Sequence, residues 1–254
     1  MVINSVLVFL FALLWGSFLN ALAYRLLYGH SLLKRSFCPH CNTTIAWYDL
    51  FPLLSWLILK GHCRFCKKPI SWLYPFIELL TALSLTLLYL RVPLVYFSAY
   101  SFFFSLLIVC IRTDFEDFAI LNHILYCIPI GWLASFFGLL PLSWIESLAA
   151  SILGYSFLWI IRFAFWKLRQ KEGLGLGDLD LLALIGAFTG IFGMWITLLL
   201  GSLSGSLAGL SLIFFTGNRQ LLNRPIPFGP FLALGALLYV LFKAQIIYFF
   251  GFEI

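Results

Sequence analysis

A chain of 254 residues that is 63% hydrophobic and 10% charged, with a mean hydropathy of +1.02, lies far outside the composition of a soluble domain. The formal charge of +6 has no soluble basic domain to carry it, so it reads as membrane topology and contact with anionic lipid, and nucleic acid is excluded as a partner. The expected fold class is all-α, a polytopic membrane protein.

A membrane-crossing helix needs ~20 mostly apolar residues. Windows of that length predict about eight spans, at 3–24, 73–90, 94–112, 119–139, 144–165, 179–197, 198–216 and 229–250, with the sixth giving way to the seventh near Gly193. The first is followed by no small-residue cleavage site and is read as a retained helix rather than a signal peptide. Cytoplasmic loops carry the excess of Lys and Arg. Fourteen of the 16 basic residues fall on one side of an eight-span chain whose termini are external, and only Arg91 and Lys243 fall opposite. Three regions are expected: a first helix (1–24), a cytoplasmic loop (25–72) and a membrane-embedded helical bundle (73–254).

The first span carries Asn20, a polar side chain suited to hydrogen bonding across helices. The loop after it opens with "CPHC" (Cys38, Cys41) and closes with "CRFC" (Cys63, Cys66). Each pair places two thiolates on one turn, and four thiolates make a closed tetrahedral Zn²⁺ shell, which is structural because no coordination position stays open. Two disulfides are the alternative, disfavoured by a reducing cytoplasm. His40 and His62, beside the cysteines, read as solvated loop residues. Cys110 and Cys127 read as small buried hydrophobes.

Glu78 stands near the start of the second span, where a charge needs a partner: a structural salt bridge or a functional role. The third span ends in "RTDFEDFAILNH", bringing Asp114 and Asp117 to the cytoplasmic boundary, and "GLGLGDLDLL" opens the sixth with Asp178 and Asp180 at the same boundary. Two carboxylates that meet in a poorly solvated site do not both ionise cheaply. They share a proton, one serving as base toward water and the other as acid toward a scissile carbonyl. Capping is the competing reading: Asp178 as the N-cap of the sixth helix with Asp180 in its first turn, and Asp114 as a cap or a partner of Arg112. Gly173, Gly175 and Gly177 favour the catalytic reading, since they let an extended peptide approach the backbone. Gly186 with Gly190, and Gly201, Gly205 and Gly209, form small-residue stripes suited to helix packing.

Taken together, "GSFLNALAYRL" (16–26), the cysteine loop through "PFIELLTAL" (38–83), "GLGD" (175–178) and "PFGPFLALGALL" (227–238) resemble the type IV prepilin peptidases, membrane aspartic proteases with a GxGD element. The resemblance implies cleavage of the basic leader of prepilins or pseudopilins at the cytoplasmic face of the bacterial inner membrane, followed in many members by N-methylation from S-adenosylmethionine. By motif position it assigns the catalytic pair to Asp114 and Asp178, with Gly175, Gly177 and Asp180 around it. Gly61, His62 and Glu78 fall in the region linked to methylation. Three positions depart from the family pattern. Asp180 stands where Lys is usual, Leu121–Asn122 where Pro-Asp is usual, and His62 where Lys follows Gly61. These departures leave a peptidase without methyltransferase activity as the alternative. A transporter and a non-catalytic scaffold are more distant rivals.

Overall fold

The computed structural model describes residues 2–118, 120, 122–170, 174–216 and 227–251. Gly173 and Leu121 lie outside the described residues, as does the side chain of Asn122. The architecture is helical, with two isolated β-bridges, Phe37–Thr44 and His62–Pro69, among the described residues. In chain order the helices are α1 (Val2–Leu27), α2 (Leu54–Ile58), α3 (Leu73–Arg91), α4 (Leu94–Asp117), α5 (Ile128–Phe136), α6 (Trp144–Arg169), α7 (Leu176–Thr216), α8 (Gly229–Leu241) and α9 (Lys243–Phe249). Helix α1 lies on α3, and α7 lies between α6 and α8.

Five of these helices are long and apolar enough to cross a bilayer, six if the bent α8–α9 pair counts as one span. The segment expected to span at 119–139 is not one continuous α-helix: a 3₁₀ stretch, Asn122–Cys127, is followed by the nine-residue α5, and it runs from Ile120 beside Gly177 to Gly131 beside Ala187. Pro129 sits in the first turn of α5, where its missing N–H costs nothing, and Gly138 at φ +69° leaves helical geometry just past the end. The eighth expected span is broken as well, with α8 and α9 meeting at 88°.

Helix α7 is two limbs that meet at Gly190, whose φ +75°, ψ −178° is non-helical. On its first limb, Leu182 lies against Gly154, Gly186 against Ala150 and Gly190 against Glu146, antiparallel to α6. On its second limb, Gly193 meets Tyr239, Thr197 meets Gly235 and Gly205 meets Phe231, antiparallel to α8. Ile120 touches both Gly177 and Gly229, so the start of α7 and the start of α8 share one end of the bundle. The chain therefore turns back at Gly190. This is the change of span expected near Gly193, and it assigns Gly190 to a turn rather than to a packing stripe. Gly186, Gly201 and Gly205 do pack, against Ala150, Leu232 and Phe231.

The core is apolar and dense at mid-height, where Phe103 and Phe188 stack with centroids 4.7 Å apart. Asn20 meets the expectation placed on it: its amide donates to the Tyr74 carbonyl on α3 at 3.0 Å and accepts from Arg112 on α4 at 3.2 Å.

Candidate active site

Asp114 occupies the last turn of α4 and is 5% exposed; Asp178 occupies the first turn of α7 and is 8% exposed. The N-terminal amides of a helix have no partner within it and present a positive dipole end. Two such ends converge here. The amide of Gly229, opening α8, donates to Asp114 Oδ2 at 3.1 Å. The amide of Gly175, just before α7, donates to Asp178, and Asp178 lies within the field of Asp114. Asp178 thus does cap its own helix, reaching back to the residue before it, while its remaining lone pairs stay free for other work. Asp114 caps the start of α8 rather than the next segment of the chain, and Arg112 pairs with Glu116 instead of with it.

Ile120 is the wedge of this site, and no sequence signal pointed to it. A Cβ on Gly177 would stand 2.5 Å from Ile120 Cβ, and one on Gly229 would stand 2.7 Å from Asp114 Oδ2. Neither fits, so glycine at these two positions is required by close approach. At Gly175 the nearest atom is Asp178 Oδ2 at 3.4 Å, an ordinary contact. Gly229 was visible in "PFGP" without a role; its amide supplies one. Asp180 is also buried, at 6% exposure, but two residues along an α-helix lie about 200° apart, which directs it away from the face bearing Asp178.

Arg112 is the largest fully buried side chain among the described residues. Its guanidinium pairs with Glu116, bonds Asn20 and lies over the Tyr74 ring at 5.1 Å. Glu116 is therefore a buried cation's counter-ion. Because Arg112 is tied to α1 and α3 while Asp114 is tied to α8, the end of α4 is held from two sides.

In the loop, all four cysteines are free thiols whose Sγ atoms lie within 4.8 Å of one another. Cys38 and Cys66 Sγ are 3.9 Å apart, close to the ~3.8 Å edge of a tetrahedron with Zn–S bonds of ~2.3 Å. Both turns have the same build: Cys38 N–H bonds Thr43 O and Cys63 N–H bonds Lys68 O, with Asn42 and Lys67 both at φ +56°. Hydrogen bonding, chiefly from Thr43, pulls the Cys41 thiol down to about 6, and backbone hydrogen bonds lower Cys63. Against a lowering backbone hydrogen bond from Lys68, burial and the neighbouring thiols push Cys66 up to about 11. Four thiol sulfurs at tetrahedral spacing, two of them with lowered pKa, make a donor set that fits Zn²⁺.

Between the loop and helices α1 and α3 lies a cavity of ≈ 380 Å³, with Tyr24, Trp56, Tyr74, Glu78 and Glu116 among its walls. Among the described residues Glu78 makes no salt bridge. Its Oε2 accepts the Leu53 N–H at 2.9 Å, and its carboxylate also accepts from Ser17. Gly61 (φ +69°) closes the turn after α2, and the His62 ring contacts the Lys60 carbonyl; neither lines the cavity.

Residues 10–92 match the bacterial peptidase A24 N-terminal domain, and residues 101–210 match the type IV leader peptidase family. A protein of Aeromonas hydrophila named prepilin leader peptidase/N-methyltransferase is 37% identical over 90% of this chain and 87% of its own length. The chain belongs to the type IV leader peptidase family. Relatives of the same name in Dichelobacter nodosus (32% identical; 96% of this chain, 93% of the relative) and Myxococcus xanthus (33%; 84% and 64%) extend the match across genera. No solved structure matches. In this member of the leader peptidase family, the A24 N-terminal match contains the whole cysteine loop and Glu78, while the match at 101–210 contains Asp114 and Asp178.

Proposed function

We propose that this chain is a prepilin or pseudopilin leader peptidase in which Asp114 and Asp178 share one proton and activate a water against the amide that joins leader to pilin. The observation that carries this reading is the convergence of two buried acids from separate helices at one end of the bundle, each taking a backbone amide from a helix start. The ionised member takes a proton from water, which attacks the scissile carbonyl; the protonated member gives its proton to that oxygen. The amides of Gly229 and Gly175 fix the two carboxylates so that little reorganisation accompanies the transfer. That end of the bundle faces the cytoplasm, as the Lys and Arg distribution requires. A basic leader stays there while the apolar pilin helix lies in the bilayer.

The same reading gives the 25–72 loop a Zn²⁺ held by Cys38, Cys41, Cys63 and Cys66, which closes the loop over the cavity. The cavity is the place for S-adenosylmethionine: its volume lies in the range of cofactor sites, its aromatic walls suit an adenine, and Glu78 and Glu116 suit a sulfonium cation and ribose hydroxyls. S-adenosylmethionine supplies a methyl group for the new N-terminal amine. Because His62 is off the cavity wall, its departure from the family Lys does not remove a cavity contact, which favours retained methylation over a peptidase-only enzyme.

The test is co-expression with a prepilin. Leader removal is expected in the parent and absent in Asp114→Ala and Asp178→Ala, and normal processing by either variant rejects the pair. Intact mass of the mature N-terminus reports methylation.

A further inference from the structure

The loop does not simply hang in the cytoplasm, because part of it reaches the depth of the spanning helices. Arg112 and Asn20 meet beside Tyr74, close to the level of Asp114. Ser17 and Glu78 stand three and four residues farther into their helices than Asn20 and Tyr74, about 5 Å deeper at ~1.5 Å per residue. The Leu53 amide is bonded to Glu78 at that depth. Leu53 itself holds φ +61°, ψ −51°, outside the regions open to an L-residue without cost, and Pro52 before it is buried. A polar backbone group at membrane depth must find a partner in the protein. Glu78 is that partner, which accounts for a carboxylate inside α3.

Beyond the turn the chain enters an amphipathic helix. Ser55 and Trp56 of α2 face the cavity, while Leu54, Leu57 and Ile58 point outward at 60, 63 and 74% exposure. Their i, i+3, i+4 spacing makes one apolar stripe. Trp47, Phe51, Trp72 and Phe76 are exposed as well, and α2 is tied to α3 and the residues before it through the Leu53 amide on Glu78 and Trp56 Nε1 on the Ile70 carbonyl. Lys60, Lys67 and Lys68, all exposed, come next along the chain. Apolar stripe, tryptophans and lysines in sequence suit a partner that is apolar inside, interfacial next and anionic outside.

We propose that 51–58 is a re-entrant segment of the cysteine loop, seated in the cytoplasmic leaflet with Leu54, Leu57 and Ile58 among acyl chains and Lys60, Lys67 and Lys68 on anionic headgroups, pinned by the Glu78 carboxylate through the Leu53 N–H. The occupant of the stripe is lipid, because the stripe begins beside Glu78 of α3, whose neighbours Phe76 and Leu79 are exposed apolar residues, at the depth of the spanning helices.

The full chain is placed in vesicles of phosphatidylethanolamine and phosphatidylglycerol, with a spin label at Leu57, Ile58 or Arg35 attached through a keto-bearing amino acid that spares the thiols. Oxygen, which partitions into acyl chains, is expected to collide severalfold more often than a water-soluble nickel chelate at Leu57 and Ile58, with the reverse at Arg35. Chelate-dominated collisions at both Leu57 and Ile58 overturn the proposal. So does shielding from both reagents, which would mean protein covers the stripe. In a Glu78→Ala background the label at Ile58 is expected to become chelate-accessible, whereas Glu78→Gln, whose amide oxygen still accepts the Leu53 N–H, keeps it protected. Unchanged depth in Glu78→Ala removes Glu78 as the pin.

Discussion

The two chemical regions of this chain are built in opposite ways. At the carboxylate end, Asp114 and Asp178 sit where three helices end or begin, ringed by glycines whose backbones touch Ile120 and each other's side-chain neighbours, and no cysteine or metal is needed to hold them. In the 25–72 loop there is one five-residue α-helix, little apolar burial and four thiols to tie the ends together. Helix packing positions the first; in the proposed reading a metal held by the four thiols positions the second. Damage to each should therefore look different: steric at the acids, all-or-none at the loop.

Steric damage gives the largest effect. Gly177→Ala and Gly229→Ala each force a Cβ into space already filled, and a shift near 1 Å at a catalytic group costs about 10²-fold in rate. Initial rates of leader removal should fall by about that factor in both, whereas Gly175→Ala, with its nearest neighbour at ordinary contact distance, should stay close to the parent. Equal loss in all three would show that the glycines serve peptide approach rather than packing. Cys63→Ser tests the metal-held region. Metal analysis should find the zinc gone, N-methylation should disappear with the loop's closure over the cavity, and leader removal should persist at a reduced rate because the acids are held by α4, α7 and α8. Loss of cleavage as complete as that of methylation would merge the two regions into one unit.

The same contrast governs what the sequence disclosed. The cysteine spacing and the Asp-bearing motifs were legible because they are local patterns tied to known chemistry. Asn20 was legible too, since a lone polar group in a span needs a partner. Ile120 was not, because a wedge residue is defined by what surrounds it and an isoleucine at the start of an expected span looks like any other. The segment expected to span at 119–139 is not one continuous α-helix, because hydropathy windows sum over Pro129 and Gly138, whose backbone effects bound a helix regardless of apolarity. Glu78 was noticed as costly, but a backbone amide as its partner has no sequence signature.

Gly190→Ala should act on stability rather than chemistry. Its φ and ψ lie in a region almost reserved for glycine, where other residues cost about 1–3 kcal/mol, and a Cβ would stand 2.5 Å from Glu146 Oε1. Thermal unfolding in detergent should shift down while the cleavage rate at low temperature holds, since the turn lies at the end of the bundle away from the acids. A rate loss larger than the stability loss would couple the turn to the site.

The smallest effect belongs to the ion pair on the cavity wall. Arg64 donates to both oxygens of Asp49, at 2.6 and 2.8 Å, and lies over the Tyr48 ring; these hydrogen bonds hold the Asp49 carboxyl below its usual range. A depressed carboxylate stabilises the fold above its unfolded value, near 3.9, and that stabilisation is lost as the pH falls through the lower folded value. Arg64 is exposed, so solvent screens the pair and the contribution is small. Asp49→Asn should therefore unfold slightly earlier than the parent at neutral pH, with the gap closing as the pH drops below about 4, and leader removal should be unchanged throughout. A gap that widens toward acid would mean that Asp49 is protonated in the folded loop and that Arg64 is held by something else.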